Sequence, residues 1–241
     1  MRICDDFLLT TLVGLCYNAD TYQSGQSMRG CDGLHENFVG LKEEKRDVII
    51  NAALTEFAQK GYDLASTNEI VKAAGISKGA LFHYFASKKV LFCFLCDYVF
   101  EVVSREFYEQ IGHCGGDLIV RYRRAAMLKG AVYRRYPPLF EFIKRLTVEK
   151  SPDIAADLAQ QLGKMTTYGY ENLLGNLDES LFRPDIPFGR ARDLIVWALE
   201  NYGTRSMELV GDAQIEEIDM DALNTDFDEY LNVLRKCFYQ Q

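Results

Sequence analysis

The sequence predicts an all-α protein in which an N-terminal three-helix helix–turn–helix domain is followed by a larger helical domain. Three observations carry this. No stretch alternates apolar and polar residues with a period of two between turn signals, so strands are not expected. Residues 66–89, STNEIVKAAGISKGALFHYFASKK, carry the punctuation of two short helices joined by a tight turn. Beyond Lys88, long apolar-periodic segments are interrupted only by Gly and Pro clusters. With 241 residues, 48% hydrophobic and 26% charged, the chain has the material for a sizeable core.

The expected elements follow in chain order. Residues 1–41 contain five glycines and little periodicity beyond FLLTTLVGLCY at 7–17. They read either as a short docking helix plus linker or as an upstream start with Met28 the natural beginning. The first helix is expected over 41–60, with Val48, Ile49, Ala52, Ala53 and Phe57 as its apolar stripe and Gly61 as its end. Ser66 is placed to cap the second helix, with Glu69 three residues on as the capping-box partner. Ile70, Val71, Ala73 and Ala74 form that helix's small apolar face, and Gly75 sits where a left-handed exit is needed. Ser77 caps the third helix, 78–85, whose inner face carries Leu81 and Phe85 four apart. Six more helices are expected over 88–111, 117–136, 139–150, 153–174, 188–210 and 222–239. Their breaks fall at Gly112/Gly115/Gly116, Pro137-Pro138, Ser151-Pro152 and the Pro-containing 183–187 connection.

At AAGISKGALFHYFASKKVL, with KRDVIINAALTEFAQKGYDLAST upstream, the chain resembles the tetracycline-repressor (TetR) family of transcriptional regulators. The likeness covers about 50 residues, 43–91. It implies a helix–turn–helix DNA-binding domain over 42–87 and a helical effector-binding and dimerisation domain over 88–241, with 1–41 an extension of uncertain structure.

Major-groove reading needs side chains that reach base edges and donors that fix the helix to phosphates. Lys78 can reach a guanine edge or a phosphate, Gly79 leaves room for close backbone approach, and Ala80 can meet a thymine methyl. His83 and Tyr84 are expected to project from mid-helix toward bases or phosphates. Thr67, at a helix N-terminus, can bind phosphate through its hydroxyl and backbone N–H. Lys88 matches a position at which the family implies a phosphate clamp; the plainer reading is a solvated helix start. Phe82 departs from the tyrosine common in the family, which removes one phosphate contact.

The resemblance further implies a homodimer on a palindromic operator in double-stranded DNA. The last two helices of each protomer would form a four-helix bundle, with Ile195, Leu199, Tyr202, Met207, Phe227, Leu231 and Leu234 as its apolar face. The plainer reading is that these residues pack inward. A small-molecule effector of unreadable chemistry is implied among the middle helices, with Tyr168, Trp197 and Asn201 as candidate contacts and Arg121, Arg123 or Glu171 as candidate polar anchors.

Charge agrees with this division. The net charge is −8, yet residues 42–90 hold eight Lys/Arg against six Asp/Glu, while 91–241 hold 17 against 24. Seven scattered cysteines read as reduced cytoplasmic thiols, and Cys93-x-x-Cys96 on an apolar helix reads as core packing. No apolar run is long enough to span a bilayer, and Asp5 and Asp6 stand where a signal peptide needs positive charge. Neither a metal set nor a catalytic constellation is readable, so no cofactor and no enzyme is expected. The alternatives are a helical small-molecule-binding protein or enzyme without DNA function, and a regulator answering to a protein partner or redox state.

Overall fold

The computed structural model describes residues 36–210 and 219–240, and the expectations for 1–35, and for the Met207 side chain, lie outside them. Among the described residues the chain is helices joined by turns and loops, with no strand and an isolated antiparallel bridge between Phe182 and Tyr239. The helices are α1 (Glu36–Val39), α2 (Glu43–Leu64), α3 (Thr67–Ala74), α4 (Lys78–Tyr84), α5 (Lys88–Val103), α6 (Glu109–Gly112), α7 (Leu118–Arg135), α8 (Pro137–Val148), α9 (Ala155–Leu174), α10 (Phe188–Val210) and α11 (Met220–Phe238). Expected boundaries held within a few residues, with one interruption: a π-helical turn, Ser104–Tyr108, joins α5 to α6.

Two compact units emerge. One holds described residues 36–101 and 136–163, the other 102–135, 164–210 and 219–240. This division by packing differs from the expected functional boundary after residue 87, because α8 packs along α2 in the first unit.

In the first unit Ile49, Ala53, Phe57, Ile70, Leu81 and Phe85 fill the core between α2, α3 and α4. Gly61 interrupts α2 with φ 71° and ψ 174°, a conformation that is essentially glycine-only. The end of α2 is then held from α8. Arg145 donates Nε to the Ala58 carbonyl and Nη2 to that of Gln59, both at 3.1 Å. Just past α8, Glu149 accepts the Tyr62 N–H at 2.7 Å. A Cβ on Gly61 would lie 3.0 Å from the Glu149 carboxylate as well as forcing the strained φ. Gly61→Ala should therefore lower unfolding stability by roughly 2 kcal/mol, read from urea denaturation.

In the second unit Asp117 caps α7, accepting the N–H groups of Ile119 at 2.9 Å and Val120 at 3.1 Å. It also pairs with Arg235 at 2.7 Å and accepts the Tyr239 hydroxyl at 3.0 Å, tying the start of α7 to the end of α11. Burial opposes its charge, but Arg235 and the donors around it win and hold the carboxyl below its usual range. Along the α10–α11 contact, the Tyr202 ring meets Phe227 at 5.1 Å and Tyr230 at 4.8 Å, and its hydroxyl donates to Asp226 at 2.8 Å.

Candidate nucleic-acid interface

The helix–turn–helix is built from α3, a tight turn and α4. Gly75 leaves α3 in the left-handed region at φ 64°, which lets the Ile76 N–H reach the Val71 carbonyl at 3.0 Å. Ser77 then caps α4, its Oγ accepting the Ala80 N–H at 3.1 Å. These two devices set the angle at which α4 is presented.

The capping box expected at Ser66 and Glu69 does not form. The Ser66 side chain caps no helical N–H; its own N–H donates to Glu56 Oε1 at 2.8 Å. Glu56 is buried on α2 and also meets Lys60 at 2.9 Å. A partner ten residues upstream on another helix leaves no trace in local spacing, so this contact was missed.

Lys78, Gly79, Phe82 and His83 share the exposed side of α4, Ala80 is half-buried on the same helix, and Thr67 is half-buried at the start of α3. The Lys78 ammonium lies 6.0 Å from the centroid of the Phe82 ring, one turn along the helix. A Cβ at Gly79 would approach nothing nearer than Ser77 Oγ at 3.9 Å, so the backbone there is open to a ligand surface. A row of donors on one exposed helical face, with an aromatic ring among them, can meet phosphates and base edges together.

Tyr84 and Lys88 stand differently from expectation. Tyr84 does not project; it is only 9% exposed, with its ring edge-on to Phe38 at 5.7 Å. Three residues after Leu81 and one before Phe85, it falls on the inner face those two define. Phe38, on α1 upstream of the expected domain start, closes over it and is 1% exposed. Lys88 is half-buried, its Nζ donating to the Asp63 carbonyl at 3.0 Å and standing 4.9 Å from the Tyr62 ring centroid. The ammonium is therefore engaged within the protein at the start of α5.

The effector candidates separate. Tyr168 is half-buried and edge-on to Tyr108 at 5.8 Å. Trp197 is 41% exposed and Asn201 is exposed, its side chain spent on the Trp197 carbonyl at 2.8 Å. Ile195 and Leu199 take the inward face of α10, and residues two positions on from each point the opposite way. Neither Trp197 nor Asn201 is an interior contact. Arg123 is also turned outward, paired with Asp228 at 2.7 Å, and Glu171 is exposed.

Arg121 does point inward and is 4% exposed. It donates to the carbonyls of Gly115 at 2.6 Å, Asn172 at 3.2 Å, Leu173 at 3.0 Å and Gly175 at 2.6 Å. Three of these carbonyls close the end of α9, so its charge sits at that helix's negative pole. It borders an open polar cavity of about 260 Å³ with Glu109, His113, Glu171 and Asn172. Cys96 is buried, and burial pushes its thiol well up, which keeps it protonated and weakly nucleophilic.

Glu200 on α10 is half-buried, its Oε1 without a hydrogen-bond partner among the described residues, and burial raises its carboxyl to about 7 from 4.5. The folded state thus holds this proton more tightly than the unfolded one. The stability it contributes is full below pH 4.5 and is lost as pH rises to about 7. Glu200→Gln should be neutral at pH 4 and stabilising by about 1 kcal/mol at pH 8, a figure discounted for partial solvent screening and read from melts at the two pH values.

The sequence pattern of "Bacterial regulatory proteins, tetR family" matches residues 49–93. The chain is 46% identical over 59 residues to the uncharacterized HTH-type transcriptional regulator YuxN of Bacillus subtilis, covering 24% of this chain and 20% of that protein. Against the biofilm operon icaADBC HTH-type negative transcriptional regulator IcaR of Staphylococcus aureus it is 27% identical over 146 residues, 54% of this chain and 77% of IcaR. The chain thus spans about a fifth of YuxN and about three quarters of IcaR. In fold it is similar to the crystal structure of a TetR family transcriptional regulator from Chloroflexus aurantiacus, with a TM-score of 0.57 and 20% identity over 86% of this chain and 98% of the other.

Proposed function

We propose that this chain, whose residues 49–93 match the pattern of the tetR family of bacterial regulatory proteins, is a dimeric DNA-binding repressor of that family, released from a palindromic operator by a small molecule. The observation that carries the reading is the exposed α4 face with Lys78, Gly79, Phe82 and His83 on a helix whose entry and cap are fully satisfied. One such helix reads only a few base pairs, and phosphate contacts add affinity without sequence preference. Two copies about 34–36 Å apart, one turn of duplex, supply the discrimination. The test is fluorescence anisotropy on DNA flanking the protein's own gene, against scrambled DNA and at two salt concentrations. Binding that is salt-sensitive and sequence-selective supports the reading; equal affinity for both DNAs overturns it. Among the described residues no helix is long and apolar enough to cross a membrane.

For the dimer, the bundle face expected from sequence is occupied inside the protomer: Ile195, Leu199, Phe227 and Leu231 are buried, and Tyr202 and Leu234 are half-buried. The opposite sides of the same two helices expose Leu194, Trp197, Tyr230 and Val233. Large apolar side chains left in water on both helices suit burial against a second copy. Trp197→Asp with Val233→Asp should therefore yield a monomer by light scattering, with helical content retained.

A further inference from the structure

Lys129 stands midway along α7, and its Nζ is sealed from solvent with no hydrogen-bond partner among the described residues. Lysine ordinarily threads its ammonium out to water along its own stem. Here the neighbours on the same helical face, Tyr122, Ala125 and Val132, are buried with it. Among the described residues, two other buried polar atoms of the same unit, Ser104 Oγ on the π-helical turn and Glu200 Oε1 on α10, also have no hydrogen-bond partner. Folded domains leave few buried polar groups unpaired, so three on three different segments of one unit call for a physical account. The missing element opposite an ammonium is an anion, and one positive charge balances one negative charge.

We propose that the interior of the second unit, at α7, binds a small organic monocarboxylic acid, its carboxylate paired with Lys129 and its apolar body lying along the Tyr122, Ala125 and Val132 side of that helix. This deepens the ligand-responsive reading above and rests on it for its regulatory meaning. Burial lowers the ammonium's hold on its proton, and an arriving carboxylate restores it, which makes the pair self-reinforcing.

The test uses the full chain and two matched pairs of probes, benzoate with benzamide and naphthalene carboxylate with naphthalene carboxamide, measured by isothermal titration calorimetry. In the wild type at least one acid should bind about 10-fold tighter than its amide, because only the acid offers the ammonium a charge partner. Lys129→Met should abolish that preference while leaving amide binding in place, and Lys129→Gln, which keeps polarity without charge, should abolish it too. Each variant's melt is recorded beside the titration to establish that it is folded. If no acid outperforms its amide in the wild type, or if the preference survives in either variant, the assignment is wrong. DNA binding plays no part in these titrations, so the operator reading and this site fail independently.

Discussion

Replacing Lys78 and His83 together by alanine should weaken binding to the proposed operator roughly 100-fold, from about 1.4 kcal/mol lost at each of two expected base or phosphate contacts. Both side chains are exposed on α4, and the cap that holds the helix, Ser77 Oγ to the Ala80 N–H, involves neither. The melting temperature should therefore stay put, since exposed substitutions away from caps and buried contacts change stability by about 0.5 kcal/mol or less. Anisotropy titrations at two salt concentrations separate the roles. A residue contacting phosphate flattens the salt dependence, and one reading a base narrows the gap between operator and scrambled DNA. Unchanged affinity in the double variant would remove α4 as the reader. Tyr84 makes the contrast: because its ring is packed on Phe38, Tyr84→Ala should cost stability along with binding.

The second large effect is structural. Arg121→Met should lower unfolding stability by roughly 3 kcal/mol, because four backbone carbonyls lose their donor at once and three of them end α9. The aliphatic part of the side chain is kept, so the loss reports hydrogen bonding and charge in place of packing. Arg121→Lys should recover only part of it, since one ammonium cannot reproduce a guanidinium spread over carbonyls on two sides. Urea denaturation of the three proteins measures both steps, and equal stability for Arg and Met would overturn this reading of Arg121.

Local chemistry was legible where it acts over three or four residues. Gly75, Ser77 and the Leu81–Phe85 pair are read correctly from spacing alone, and from them follows the exposed face of α4. The helices from α5 to α11 follow from Pro and Gly breaks, apart from the π-helical turn at Ser104–Tyr108, which no composition signal marks. Pairings across the chain were not legible. Glu56 in place of Glu69 as the partner of the α3 start, Phe38 over Tyr84, and Arg145 with Glu149 at the end of α2 each join positions ten or more residues apart.

Helical phase was the other limit. Apolar residues on α10 recur closely enough that Trp197 reads as an inward position until Ile195 and Leu199 are seen to occupy the interior. Arg121 and Arg123 are two apart on α7, and sequence treats them alike; packing buries the first on carbonyls and leaves the second at the surface with Asp228.

By itself the sequence determined that this is a helical protein with a helix–turn–helix whose second helix is capped and faces outward, since propensity, caps and turn glycines act through bonds and near neighbours. Only the tertiary structure decided which side of each helix is inside, that Tyr84 is core and Trp197 surface, and that Lys129 is shut away without a partner among the described residues. Burial depends on what the rest of the chain lays over a residue, and that is settled by long-range packing of helices whose own sequences permit more than one face.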